Sequence, residues 1–185
     1  MRKMDYPIDK RQWCPSLIPG PIVLVSTYNT NQEPNIAPKS WLQMVSFDPP
    51  ILMLAGTKSY TTEQNILDTQ CFGLNFVDSS LASRVYDSIK WYGQERLKQT
   101  RFTLVEASKI HAPLVAECRA HLECQLHSSQ EVGSGFIIFG EIVHASIWED
   151  ILQIEPQKRY ELLDQIIFLE EKLFAKITSV SKIES

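Results

Sequence analysis

Three stretches of this chain carry residues whose types and spacing could do chemistry. The first is Ser59-Tyr60-Thr61-Thr62-Glu63-Gln64-Asn65. Thr61 followed by Gln64 is a capping-box pattern, so a helix is predicted to begin there with Thr61 as its N-cap. A helix start leaves backbone N–H groups unpaired and carries about half a positive charge, a natural seat for a phosphate. Ser59, Thr61 and Thr62 add hydroxyls, and Lys58 adds a formal charge. The same residues also suit a plain helix cap, whose side chain would compete with a phosphate for the same N–H groups. The second stretch is Asn35-Ile36-Ala37-Pro38-Lys39-Ser40-Trp41. Read as an irregular, proline-stiffened loop, it offers a ligand backbone amides, which need no flexible side chains, and the Ser40 hydroxyl. Trp41 either covers a ring face or fills core. The third is Asn75, a polar amide inside the apolar run Phe72–Val77, which needs partners if buried, in a neighbouring loop or on a ligand.

Other chemistries find little support. Cys14, Cys71, Cys118 and Cys124 form no CxxC pair, so neither a zinc site nor a disulfide framework is expected, and reduced, largely buried thiols are. His111, His121, His127 and His144 lack metal-ligand spacing with a carboxylate beside them and read as solvated or hydrogen-bonded histidines. No G-x-G-x-x-G follows a strand, no P-loop is present, and no G-x-S-x-G elbow appears. No side chain stands out as a catalyst. A formal net charge of −4 without a basic run argues against nucleic acid. No apolar stretch approaches the ~20 residues a bilayer crossing needs, and no apolar segment follows Met1-Arg2-Lys3 to form a secretory signal. A cytoplasmic protein is expected.

The elements that must position these stretches are mostly short strands. Ile22–Thr27, Ile51–Ala55 and Phe72–Val77 are apolar runs of strand length, and residues 35–47 continue as a strand after an irregular entry. His121–His127 alternates, with Leu122, Cys124 and Leu126 on one face. Phe136–Ala145 is a strand interrupted by Gly140, a bulge or close-approach position. Thr62–Thr69 and Ser79–Ser88 read as short helices, and Trp91-Tyr92-Gly93 as a loop. Leu162, Ile166, Leu169, Leu173 and Ile177 recur at helical spacing, so residues 156–178 are predicted as a long C-terminal helix docking on a barrel or a neighbouring subunit. Residues 1–18 form an arm that Trp13 and Leu17 could anchor. Many short strands, few helices and no linker predict one domain over residues 1–185, an antiparallel barrel with peripheral helices.

The ordered series from Pro19-Gly20-Pro21 through Asn35–Trp41, Asp48-Pro49-Pro50, Thr61–Ile66 and Phe72–Asn75 resembles the flavin reductase-like family, the FMN-binding split barrels that include flavoredoxin. The likeness is densest over residues 19–85 and returns at 110–150. The resemblance implies a Greek-key split β-barrel, a homodimer, FMN as cofactor and NAD(P)H as hydride donor. It places Asn35, Ala37, Pro38, Ser40 and Trp41 on the flavin, Lys58, Ser59, Thr61 and Thr62 at its phosphate, and Asn75 beside it. Two departures stand out: the family's frequent Lys-Asp-Thr reads Tyr60-Thr61-Thr62, and its Gly-x-His is replaced by Gly133-Ser134-Gly135-Phe136. The alternatives are a non-enzymatic FMN electron carrier or a related small barrel binding haem or pyridoxal phosphate.

Overall fold

The structure, a computed structural model, describes residues 2–9 and 17–181. The expectations for Trp13 and Cys14 lie outside the described residues, and Leu17 is exposed rather than anchoring. Seven strands make the main sheet: β2 (Val23–Tyr28), β3 (Pro34–Lys39), β4 (Leu42–Phe47), β5 (Pro50–Gly56), β6 (Cys71–Phe76), β9 (Ala120–Val132) and β10 (Gly135–Ile147). Their order is β3-β2-β6-β9-β10-β5-β4, and every neighbouring pair is antiparallel. β3 and β4 stand at opposite ends of that order although only Ser40 and Trp41 separate them. Three Cα–Cα steps reach at most about 11 Å, so the sheet must curl until its two ends meet. The sheet is therefore barrel-like yet split along the β3–β4 seam. The mainly antiparallel architecture with peripheral helices is as the sequence predicts.

The continuous apolar run of β2 follows from burial on both faces. Val23 and Val25 enter one core cluster with Leu52, Leu54, Phe72 and Ile138. Leu24 joins a second with Ile36, Val85, Phe102, Val115 and Ile166. Leu122 and Leu126 of β9 pack on the first cluster around Cys124, as their alternation predicts. Gly140 is both things its sequence position suggests. The β9–β10 register shifts beside it, and a Cβ there would lie 2.5 Å from Phe72 Cζ.

Four differences from the sequence reading bear on the site. Residues 35–39 belong to an edge strand, where Pro38 pairs with Leu24 without needing a ladder donor. The α1 helix (Thr61–Thr69) starts with Tyr60, not Thr61, as N-cap. Trp91-Tyr92-Gly93 leads into a helix, α3 (Gly93–Thr100), that hydrophobic periodicity cannot reveal because its buried residues are Arg96 and Thr100. It follows a 3-10 turn (Ser79–Leu81) and α2 (Ala82–Ser88). The long C-terminal helix is absent. After a short α4 (Glu149–Leu152), α5 runs only from Pro156 to Leu163 and stops at Asp164 in the left-handed region (φ 47°). Then β11 (Ile166–Glu170) and β12 (Leu173–Lys176) form a hairpin, with β11 pairing to β1 (Gly20–Pro21). Ile166, Ile167 and Phe168 are β-branched or aromatic, and burial of Ile166 beside Leu24 outweighs the helical spacing. A minor hairpin, β7 (Leu104–Glu106) and β8 (Pro113–Val115), covers β2 and β6.

Candidate functional site

A cavity of about 840 Å³ opens where β3, the start of α1, α2, the start of α3 and the C-terminal hairpin converge. That size suits a small-molecule site, for which roughly 300–1,000 Å³ is usual. Asn35, Ala37, Pro38, Lys39 and Ser40 of the β3 stretch line one wall, and Ser59, Tyr60, Thr61 and Thr62 line the next. The two stretches that sequence singled out are thus walls of one space. Asn35 Nδ2 donates to Thr62 Oγ1 at 3.1 Å. Behind that bond, Asn65 Nδ2 donates to Thr27 Oγ1 at 2.9 Å, fixing α1 on β2.

The helix start differs from the capping box that the sequence suggests. Thr61 and Thr62 are the first two helical residues, and no side chain caps the first turn. Gln64 Nε2 instead donates to Lys58 O at 2.5 Å. The competition between cap and phosphate therefore does not arise. The first-turn N–H groups and the Ser59, Thr61 and Thr62 hydroxyls form a donor set suited to an anion. On the side of β3 away from β2, Ile36 O and Pro34 O already accept from Arg96 Nη1 and Gln94 Nε2, and the other outward backbone groups have no partner strand.

Three sequence candidates stand elsewhere. Lys58 is 57% exposed in its side chain, pairs with Glu131 and lies 5.9 Å from the Phe136 ring centroid. Trp41 is 56% exposed at the β3–β4 seam and does not line the cavity. Asn75 is fully buried and serves the fold: its Nδ2 donates to Leu24 O (2.8 Å) and Ser26 Oγ (2.9 Å), and its Oδ1 accepts from Val115 N (2.6 Å). It is the loop-satisfying alternative of the two that its sequence position allows.

Sequence reasoning missed several wall residues. Lys39 Nζ meets Glu63 Oε1 at 2.5 Å, with Glu63 1% exposed, so a buried ion pair bridges β3 and α1. Lys39 also lies 4.9 Å from the Tyr60 ring centroid. The signal was opposite charges on the two candidate stretches. Gly56 makes room for the pair, since a Cβ there would fall 1.7 Å from Glu63 Oε1. The far half of the cavity is lined by Val85, Tyr86 and Ile89 around α2, Arg96 of α3, and Phe168 and Phe174 of the hairpin. Nothing local in the sequence ties these residues to β3, because a long-range fold brings them there.

Glu171, Lys172, Tyr86 and Tyr92 also line the cavity, and the groups that follow lie outside it. Burial would raise the Glu123 carboxyl, but the N–H groups of Ser108 and Lys109, the Ser108 hydroxyl and His144 hold it below its usual range. Those bonds pin the β7–β8 loop to the sheet, so Glu123 is a buried anchor rather than a solvated strand residue. Burial lowers His121, which bonds Val115 O at 2.9 Å. Cys118 is pushed up to about 12 by burial and the nearby Asp78 and Glu117, and burial raises Cys124 and Cys71 also, so the described thiols are inert.

The strand order and the β3–β4 seam are those of a split barrel. Residues 16–161 match the flavin reductase like domain, and the chain belongs to that family. It is 28% identical over 107 residues to the NADH-dependent FAD reductase of Streptomyces globisporus, covering 56% of this chain and 58% of that protein. Nitrilotriacetate monooxygenase component B from Bacillus cereus superposes with a TM-score of 0.88 at 18% identity, covering 99% of this chain and 100% of that one. Flavoredoxin of Desulfovibrio vulgaris (Miyazaki F) gives 0.80 at 21% identity, covering 98% and 96%. These likenesses establish the shared fold. Among the described residues, no helix is long and apolar enough to cross a membrane.

Proposed function

We propose that the protein binds one flavin mononucleotide in the 840 Å³ cavity and acts as an NAD(P)H-dependent flavin oxidoreductase. The observation that carries this reading is the junction of β3 with an uncapped α1 start, joined by Asn35–Thr62 and Lys39–Glu63, in a chain of this family. The donor set fits the cofactor. First-turn N–H groups and the Ser59, Thr61 and Thr62 hydroxyls hold the phosphate. Ala37, Pro38 and Ser40 present an edge-strand backbone to the ring's polar side. Ile22, Val85 and Phe168 offer an apolar wall that keeps water from it. The flavin, when bound, supplies the two-electron chemistry, and the protein supplies binding, orientation and electrostatics. That division of labour needs no acid–base side chain in the wall.

A second reading, an FMN electron carrier fed by a protein donor, is favoured by one feature. Phe136 stands where the family's histidine is frequent, and it is 4% exposed within the core rather than in the cavity wall. FAD is the further alternative, motivated by the Streptomyces relative. The proposed homodimer has lost the helical face suggested for it. Its support is the exposed Val45 and Phe47 on the edge strand β4, and sedimentation of a monomer at micromolar concentration would remove it. The deciding experiment is a visible spectrum of protein reconstituted with FMN or FAD, followed by anaerobic NADH or NADPH. Tight FMN binding with prompt bleaching supports the reductase, binding without bleaching supports the carrier, and no flavin binding removes both.

A further inference from the structure

The cavity wall holds a buried cation that pairs with no carboxylate among the described residues, although Glu171 lines the same cavity. Arg96 is 7% exposed and lines the cavity, with the Tyr92 ring centroid 5.6 Å from its guanidinium carbon. Its Nε donates to Ser88 O and Trp91 O, both at 2.9 Å, and its Nη1 donates to Ile36 O. These are neutral carbonyls. Among the described residues no carboxylate pairs with it, whereas Lys39 in the same wall has Glu63. A guanidinium carries five N–H donors. The three remaining, one on Nη1 and both on Nη2, have no protein acceptor among the described residues. The unbonded Nη2 is not sealed from solvent, and Arg96 is a lining residue of the cavity. Burial lowers the Arg96 pKa against a smaller opposing effect of Tyr92, the expected signature of a desolvated cation lacking a counter-ion.

We propose that Arg96 is the anion receptor of this cavity, pairing its unused Nη edge with an oxyanion of the ligand, phosphate or carboxylate. Its planar fork matches either group in bidentate geometry, and its carbonyl bonds hold it in place before the ligand arrives. Arg96 grips Ile36 while the neighbouring Asn35 reaches Thr62, so receptor and helix start meet adjacent residues of β3. Naming the oxyanion as a flavin phosphate rests on the function proposed above; the receptor itself does not.

The test compares wild type, Arg96→Gln and Arg96→Lys in chloride buffer. Binding of FMN and riboflavin is measured by flavin fluorescence, and melting temperature is measured with inorganic phosphate and with benzoate. If the oxyanion is the flavin phosphate, Arg96→Gln weakens FMN about 10- to 100-fold, leaves riboflavin unchanged, and loses the phosphate-induced rise in melting temperature. If it is a co-substrate carboxylate, FMN affinity holds, and benzoate stabilises wild type but not Arg96→Gln. Equal weakening of FMN and riboflavin would make Arg96 a structural strut and overturn the proposal. Equal anion effects on wild type and variant, or no anion effect on wild type with FMN affinity unaltered, would overturn it too. Wild type that binds no flavin but is protected by an anion only when Arg96 is present would sink the flavin reading and leave the receptor standing. Arg96→Lys, which keeps the charge and loses the fork, carries the comparison if the Gln variant does not fold; a loss of about 10-fold for FMN alone is expected.

Discussion

Replacing Glu63 by Gln tests whether the two walls of the cavity are held together by charge. Glu63 is 1% exposed in its side chain and Lys39 10%, with 2.5 Å between Oε1 and Nζ, while Glu63 Oε2 has no hydrogen-bond partner among the described residues. The bridge joins β3 to α1, the two stretches proposed to hold the ligand. Gln keeps the volume beside Gly56 but removes the charge, leaving the Lys39 ammonium buried without compensation. Breaking a buried pair from one side costs about 3–5 kcal/mol. Since Gln still accepts one hydrogen bond, about 3 kcal/mol is expected. With a urea slope of about 1–3 kcal/mol/M, the unfolding midpoint falls by about 1–3 M. Removing both charges in Lys39→Met/Glu63→Leu should recover most of that loss, because an apolar replacement of a whole pair is often neutral. Urea unfolding followed by tryptophan fluorescence measures Glu63→Gln and the cycle of Lys39→Met, Glu63→Leu and the double variant. A Glu63→Gln loss below about 0.5 kcal/mol, or a double variant whose loss is the sum of the singles, would refute the reasoning.

Three further outcomes follow. Thr61→Ala should weaken FMN more than riboflavin, by about 1–3 kcal/mol in fluorescence titration, and leave stability near wild type. Thr62→Ala adds a fold cost, since Thr62 is buried and bonds Asn35. Asn75→Ala should destabilise by about 1–3 kcal/mol in urea, because it leaves the Val115 N–H without its acceptor, while the fully folded protein keeps its flavin affinity. Glu123 has a folded pKa below its ordinary 4.5, so its contribution is complete above that value and is lost as pH falls through the folded pKa. Glu123→Gln should therefore lower stability at pH 7 and flatten the acid limb of a stability–pH profile; an unchanged acid limb would show that other carboxylates set it.

The main strands and both stretches that line the cavity were legible because local chemistry and burial agree there. β2 is apolar on both faces, β9 alternates, and the hydroxyl run at 59–62 marks a helix start. The rest depended on distant residues. The helical spacing of Leu162, Ile166, Leu169 and Leu173 is real, but Ile166 finds a deeper site beside Leu24 as a strand. The buried face of α3 is Arg96 and Thr100, so its existence is written in hydrogen bonds to Ser88, Trp91 and Ile36 rather than in periodicity. Lys58 reads as a phosphate ligand until Glu131, far along the chain, takes it. Asn75 looks cofactor-facing until β8 supplies Val115 as its donor.

The most direct measurement is a crystal structure of the protein grown with excess FMN. The account predicts the phosphate within hydrogen-bonding range of the Thr61 and Thr62 N–H groups and the ring lying along Ala37–Ser40. A flavin bound elsewhere, or a ring in the cavity with its phosphate turned away from the start of α1, would contradict it.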